Sequence, residues 1–139
     1  MRLNALWVAR LFAAPGLWNG DPGVRPTAQA DPLWIDPVAW LAEREPRAGG
    51  QPLPLGWHVT SDSIAARLAE ALGAEELVLL KSGLPTTGDP TNWAQESFVD
   101  GYFSIAAAGL PAIRVVNLRA GADAEVRWRF AGGVSATGS

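Results

Sequence analysis

Two charged side chains stand where this sequence could do chemistry on a phosphate. Asp62 lies in Thr60-Ser61-Asp62-Ser63, where a short β-like run, Trp57–Thr60, hands over to a helix. Lys81 closes the apolar run Leu77-Val78-Leu79-Leu80. Ten of the eleven basic residues are arginine, so Lys81 is the single lysine of the chain. An ammonium is a compact point charge that can meet a phosphate, which a planar guanidinium does differently. Each residue has two readings. Asp62 either steadies its helix as a first-turn carboxylate, by about 0.3–1 kcal/mol, or orients a reactive cation. Lys81 either reaches solvent from a strand end or faces a ligand. Ser61, Ser63 and Ser82 lie at the same edge, with hydroxyls suited to caps and turns or to contacts with a bound molecule. His58, inside the short β-like run beside Trp57, fits a satisfied, partly buried imidazole better than a catalytic one. Asp100 reads as the cap of the helix it starts. No G-x-S-x-G elbow and neither common phosphate-cradling glycine loop occurs.

The elements that must position these groups follow from periodicity. Apolar residues at helical spacing predict a helix over 3–13, ended by Pro15-Gly16. Residues 15–31 read as a loop. Asp36-Pro37 reads as a cap followed by proline at the first helical position, opening a helix Pro37–Arg44 with Val38, Leu41 and Trp40 inward. A second loop covers 46–56. Ile64, Leu68 and Leu72, with Ala65 and Ala69, make one apolar helix face that leaves Arg67 and Glu70 pointing elsewhere. Gly73 is a natural residue just past that helix. Leu77–Leu80 then reads as a strand buried on both faces. Together, 57–81 reads as a parallel, right-handed β-α-β unit. It would bring Asp62 and Lys81 to the carboxyl ends of its strands, where open α/β sheets bind ligands.

Downstream, 83–97 is a polar loop. Phe98–Ala108 reads as a helix stopped by Gly109, and Ile113–Leu118 as a buried strand. Residues 124–130 alternate, with Val126, Trp128 and Phe130 on one side and Glu125, Arg127 and Arg129 on the other, which is the pattern of an edge strand. The last nine residues read as a tail. Of the seven tryptophans, Trp7, Trp34, Trp40 and Trp57 are expected to help fill the core. Trp93 either anchors its loop or offers a ring for a base or an interface.

Composition sets limits. At 139 residues, 48% apolar and 18% charged, the chain is of ordinary single-domain size and is not a disordered sequence. A net charge of −3 builds no basic face for duplex nucleic acid. The absence of cysteine excludes a disulfide scaffold, thiolate metal ligands and a cysteine nucleophile. With one histidine, a histidine-built metal cluster is not expected either, and no metal-binding residues are assigned. No apolar run approaches the roughly 20 residues of a membrane helix, and Arg10 interrupts the only stretch resembling a signal sequence. A cytoplasmic protein is expected.

Read as a string, Gly56-Trp57-His58-Val59-Thr60-Ser61-Asp62-Ser63-Ile64-Ala65-Ala66, the following Leu-Ala-Glu-Ala-Leu-Gly-Ala and Leu77-Val78-Leu79-Leu80-Lys81-Ser82 resemble the amino acid kinase superfamily. Within it they are most similar to the small uridylate-kinase-like branch that includes the aminomethylfuran phosphate kinases. Val99-Asp100-x-x-Phe103 and Leu110-Pro111 fit the same branch. The resemblance covers about residues 33–119. It implies an α/β fold, a three-layer α/β/α sandwich on a mostly parallel sheet, of which residues 1–119 would be a partial domain with its core at 33–119. Residues 120–139 would add an edge strand and a tail. It also implies an ATP-dependent phosphotransferase in which Asp62 is the catalytic carboxylate that orients lysines. Lys81 and Ser82, with Ser61 and Ser63, would line the nucleotide site, and Mg²⁺ would bridge the phosphates. Phosphoryl transfer suits such sparse equipment, because it needs positioning and charge neutralisation rather than a covalent nucleophile.

The family pattern also has a Lys-x-Gly-Gly-Ser strand-loop and a second lysine, neither of which is found in this sequence. Arg10 or Arg114 could stand in for that lysine. The expectation is therefore a carboxyl-terminal, nucleotide-binding portion, inactive alone, acting on an unknown small acceptor. It would work as a homo-oligomer or with a partner supplying the other half. The alternative is a non-catalytic nucleotide-binding pseudo-kinase or a regulatory or interaction subunit.

Overall fold

The structure, a computed structural model, describes residues 17–18, 34–120 and 124–129. The expected helix over 3–13 and the tail lie outside them. The chain divides into two compact units, Met1–Pro52 and Leu53–Ser139.

In the first unit, strands β1 (Leu17–Trp18) and β2 (Trp34–Ile35) pair in parallel, Leu17 opposite Trp34. The reading of 15–31 as loop therefore misses β1, a two-residue bridge whose partner lies far along the chain. Helix α1 (Pro37–Glu43) begins as its sequence dictates: Asp36 Oδ1 accepts the N–H groups of Val38 and Ala39, each at 3.1 Å, and Pro37 occupies the first turn. Trp40 is its buried residue, whereas Val38, expected inward, is exposed. A single 3₁₀ turn, Glu45–Arg47, follows.

The second unit is α/β, with a mixed three-stranded sheet in the order β3-β4-β5. Its elements are α2 (Ser61–Ala71), β3 (Leu77–Lys81), a 3₁₀ turn Pro90–Asn92, α3 (Phe103–Ala106), β4 (Ala112–Asn117) and β5 (Glu125–Arg129). Strands β3 and β4 are parallel, with Leu77 opposite Ile113 and Lys81 opposite Asn117. Strands β4 and β5 are antiparallel, with Val115 opposite Val126. The alternation of β5 is as read: Val126 and Trp128 are half-buried, while Glu125, Arg127 and Arg129 are exposed.

Two sequence expectations fail here. Residues 57–60 form no strand; they make a turn and an extended lead into α2. Trp57 is fully exposed, and His58 is also exposed, its ring meeting Tyr102 edge-on at 6.5 Å. The parallel partner of β3 is thus β4, reached through 82–111, and the β-α-β unit expected at 57–81 is not formed. Helix Phe98–Ala108 also shrinks to the four residues of α3. Just before it, Ser97 takes a positive φ of 56°, the Phe98 and Val99 N–H groups bond the Trp93 carbonyl, and the Phe98 carbonyl is taken by Lys81.

The core explains both outcomes. Trp93, Phe103, Leu110, Ile113 and Val115 are buried with Leu77, Leu79 and Val99. Trp93 stacks on Phe103 at 6.2 Å and meets Phe98 edge-on at 5.7 Å. Its indole N–H donates to the Thr87 carbonyl at 2.9 Å. Burying an indole removes roughly 150–250 Å² from water, or about 4–6 kcal/mol at about 25 cal/mol per Å². That gain settles Trp93 as the loop's anchor and brings Phe98 and Val99 against the same core. The tryptophan of this core is Trp93, and not Trp57.

Helix α2 meets the core through Ala66 and Ala69, which let it approach closely. Its buried residues are Ser63, Ala66, Arg67 and Ala69, so the inward face is rotated from the Ile64-Leu68-Leu72 stripe that periodicity picked out. Leu72 is exposed, while Arg67 is buried and paired with Glu70 at 2.9 Å. Glu70 lies close against Gly109, where an added Cβ would sit 2.8 Å from Glu70 Oε1. The helix ends as expected at Gly73 (φ 64°). The Ala74 N–H bonds the Ala69 carbonyl and the Gly73 N–H bonds that of Glu70, a Schellman closure. Strand β3 is covered on one face only: Leu77 and Leu79 are buried, but Val78 and Leu80 are exposed. Among the described residues no helix is long and apolar enough to cross a membrane.

Candidate functional site at the amino end of helix α2

Four free N–H groups at a helix start need acceptors. Thr60, at the cap position, has extended backbone angles but makes no side-chain bond to its own helix. The acceptor comes from forty residues away. Asp100 Oδ2 accepts the Thr60 N–H at 3.0 Å, the Thr60 hydroxyl at 2.7 Å and the Ser63 N–H at 3.1 Å. Its Oδ1 accepts the Ser63 hydroxyl and, at 3.1 Å, the N–H of Tyr102. These backbone N–H groups, at the cap and three residues on, are the pair that a capping box satisfies locally; here a distant carboxylate does the work. Burial would raise the Asp100 carboxyl, but the hydrogen bonds from Ser63 and Thr60 outweigh it and hold the group below the ordinary aspartate range.

Asp62 lies in the first turn of α2, as expected, and among the described residues its carboxylate accepts no N–H of the cap, which Asp100 holds. Asp62 Oδ2 accepts from Lys81 Nζ at 2.8 Å, both side chains being partly buried. Lys81 reaches there from the carboxyl end of β3, on the covered face of the sheet. The same ammonium donates to the Phe98 carbonyl at 3.0 Å and sits 5.3 Å from the centre of the Phe98 ring. Two of its three N–H bonds are therefore satisfied. Among the described residues the third has no acceptor, and Asp62 Oδ1 has no donor. An ammonium held by two acceptors, with one donor to spare beside a parallel strand end, can meet a further anion without being rebuilt.

The three serines separate. Ser63 is fully buried with its hydroxyl on Asp100, so it serves the cap. Ser61 and Ser82 are exposed and make no hydrogen bond among the described residues, which leaves both hydroxyls to solvent or a ligand. Trp93 has no exposed ring to offer a base. Arg114 is excluded as a second cation at this place. It stands opposite Val78 in register, on the other face of the sheet from Lys81, where Glu76 and Glu125 hold it at 3.2 Å. Arg10 lies outside the described residues.

Sequence reasoning found Asp62 and Lys81 but missed Phe98 and the reach of Asp100. A backbone carbonyl leaves no mark in composition. Asp100, expected to cap the helix it starts, instead caps α2 through Thr60 and Ser63. Among the described residues no three His, Asp or Glu side chains gather as a metal site. Comparison with protein-family models, with curated proteins and with solved structures gives no match. The reading of this site rests on its side chains.

Proposed function

We propose that the chain is the nucleotide-binding portion of an ATP-dependent small-molecule kinase. In this reading Lys81 contacts a nucleotide phosphate, Asp62 orients it, and Ser61 and Ser82 add hydroxyl contacts at the rim. The observation that carries the reading is the Lys81–Asp62 pair, drawn together from a strand end and a helix start with one ammonium N–H unspent. Partial burial strengthens such a pair relative to water and fixes the ammonium in place. Mg²⁺ would enter with the polyphosphate, held by phosphate oxygens and waters, because the one carboxylate with an open oxygen here is too little for a protein cage. The three-layer, mostly parallel sandwich of the amino acid kinases belongs to this proposal. So do an unknown small acceptor, a cytoplasmic setting and a partner for catalysis.

Arg114 favours a second reading. With its guanidinium turned to the opposite face of the sheet, Arg114 does not supply the second cation beside Lys81, and a chain without it binds nucleotide without transferring phosphate.

Calorimetric titration with MgATP tests the first claim. Wild-type protein is expected to bind, and Lys81→Ala to bind at least tenfold more weakly, about 1.4 kcal/mol. A folded wild-type chain that gives no binding signal ends both readings. Binding with no phosphate released or transferred selects the second.

A further inference from the structure

We propose that strand β3 pairs edge to edge with β3 of a second copy, so that two three-stranded sheets join as one six-stranded sheet. The backbone leaves this edge open to an extended occupant. The Lys81 carbonyl accepts the Leu118 N–H at 2.8 Å, so Lys81 turns its backbone groups toward β4. At the two-residue period of a strand, Leu79 and Leu77 do the same. Val78 and Leu80 therefore turn their N–H and C=O groups to the other edge, where β3 has no strand neighbour among the described residues. A row of unpaired donors and acceptors at this spacing is a template for another strand.

The side chains say which strand fits. The devices that usually blunt such an edge are missing: Leu77–Lys81 contains no proline or bulge, and its one charge, Lys81, is turned to the covered face and held by Asp62. Instead Val78 and Leu80 stand on the open face, 37% and 62% exposed. An antiparallel copy related by a two-fold axis at Leu79 places Val78 directly opposite the partner subunit's Leu80, and Leu80 opposite the partner's Val78. These residues carry the free backbone groups, so each pair exchanges both N–H···O bonds, the narrow pairing of an antiparallel ladder. Each also sets two apolar side chains against each other on one face. The edge is thus complementary to itself, as a two-fold interface must be. This inference is independent of nucleotide binding.

Light scattering on the eluting full chain, across a dilution series, is the test. A mass of twice 14.7 kDa at the concentrated end, falling toward the monomer on dilution, is expected. Leu80→Lys, which sets an ammonium against apolar Val78, should weaken the dimer at least tenfold. Leu80→Pro should do the same, since it removes an outward N–H and leaves the β4 ladder intact. Amide exchange on wild-type protein gives a readout that does not depend on either variant folding: Val78 and Leu80 should exchange more slowly as concentration rises, with no such change in surface amides elsewhere. A wild-type monomer at all concentrations, a dimer indifferent to both folded variants, or no concentration dependence at Val78 and Leu80 would overturn the proposal.

Discussion

On one face of the β3-β4-β5 sheet, Leu77, Leu79, Ile113 and Val115 are buried in a cluster with Trp93, Phe103, Ala66 and Ala69. On the other, Val78 and Leu80 are exposed beside a lattice of charges in which Arg114 and Arg127 reach Glu76 and Glu125 at 3.2–3.7 Å. Leu77 to Leu80 are four apolar residues in a row, yet only Leu77 and Leu79, on the face covered by the core cluster, are buried. Within β3, hydrophobicity therefore does not report burial; parity along the strand does. Function follows the same division. Lys81 has the parity of Leu77 and Leu79, so it emerges at the rim of the covered face, beside α2 and Asp62. Arg114 has the parity of Val78 and Leu80, so its charge is consumed on the open face.

That contrast can be broken experimentally. The largest effect should come from Trp93→Ala, which empties the covered side and should cost about 3–5 kcal/mol in urea denaturation; a loss below 1 kcal/mol would mean that the loop is not anchored by its indole. Next is Asp100→Ala, which strands the first N–H groups of α2 and should cost about 2 kcal/mol. Asp100 also predicts a pH signature. Its carboxyl is held below the ordinary value in the folded chain, so its stabilisation is present above the unfolded value of about 3.9 and is lost as pH falls through the lower folded value. Stability should drop below about pH 4 in wild type, and less steeply in Asp100→Ala; parallel curves would count against the cap.

Smaller still is Asp62→Asn. The pair is only partly buried, so stability should change by about 1 kcal/mol, while MgATP affinity falls much further than the fold is perturbed. Equal loss of stability and affinity would make the pair a structural brace. The smallest effect is expected for Val78→Ala on the open face, within about 0.5 kcal/mol for the monomer, with any larger consequence confined to self-association.

Residue identity and spacing alone determined much of the local structure. Asp36-Pro37 opens α1, Gly73 closes α2 in a left-handed turn, the alternation at 125–129 makes an edge strand, and Asp62 and Lys81 stand out as a chemically capable pair. The cap at Asp36 and the turn at Gly73 depend on contacts within a few residues, which the order of side chains encodes directly, whereas Asp62 and Lys81 are 19 residues apart and meet only in the folded chain. Only the tertiary structure decided that Trp57 stays in solvent while Trp93 is buried. It also buried Ser63, Ala66 and Arg67 of α2 beside Ala69 while leaving Leu72 exposed, left β3 open on one face, and gave the cap of α2 to Asp100. These outcomes depend on which segments compete for the same space and the same hydrogen-bond donors. Such competition is settled between residues about forty positions apart, where no local pattern records the winner.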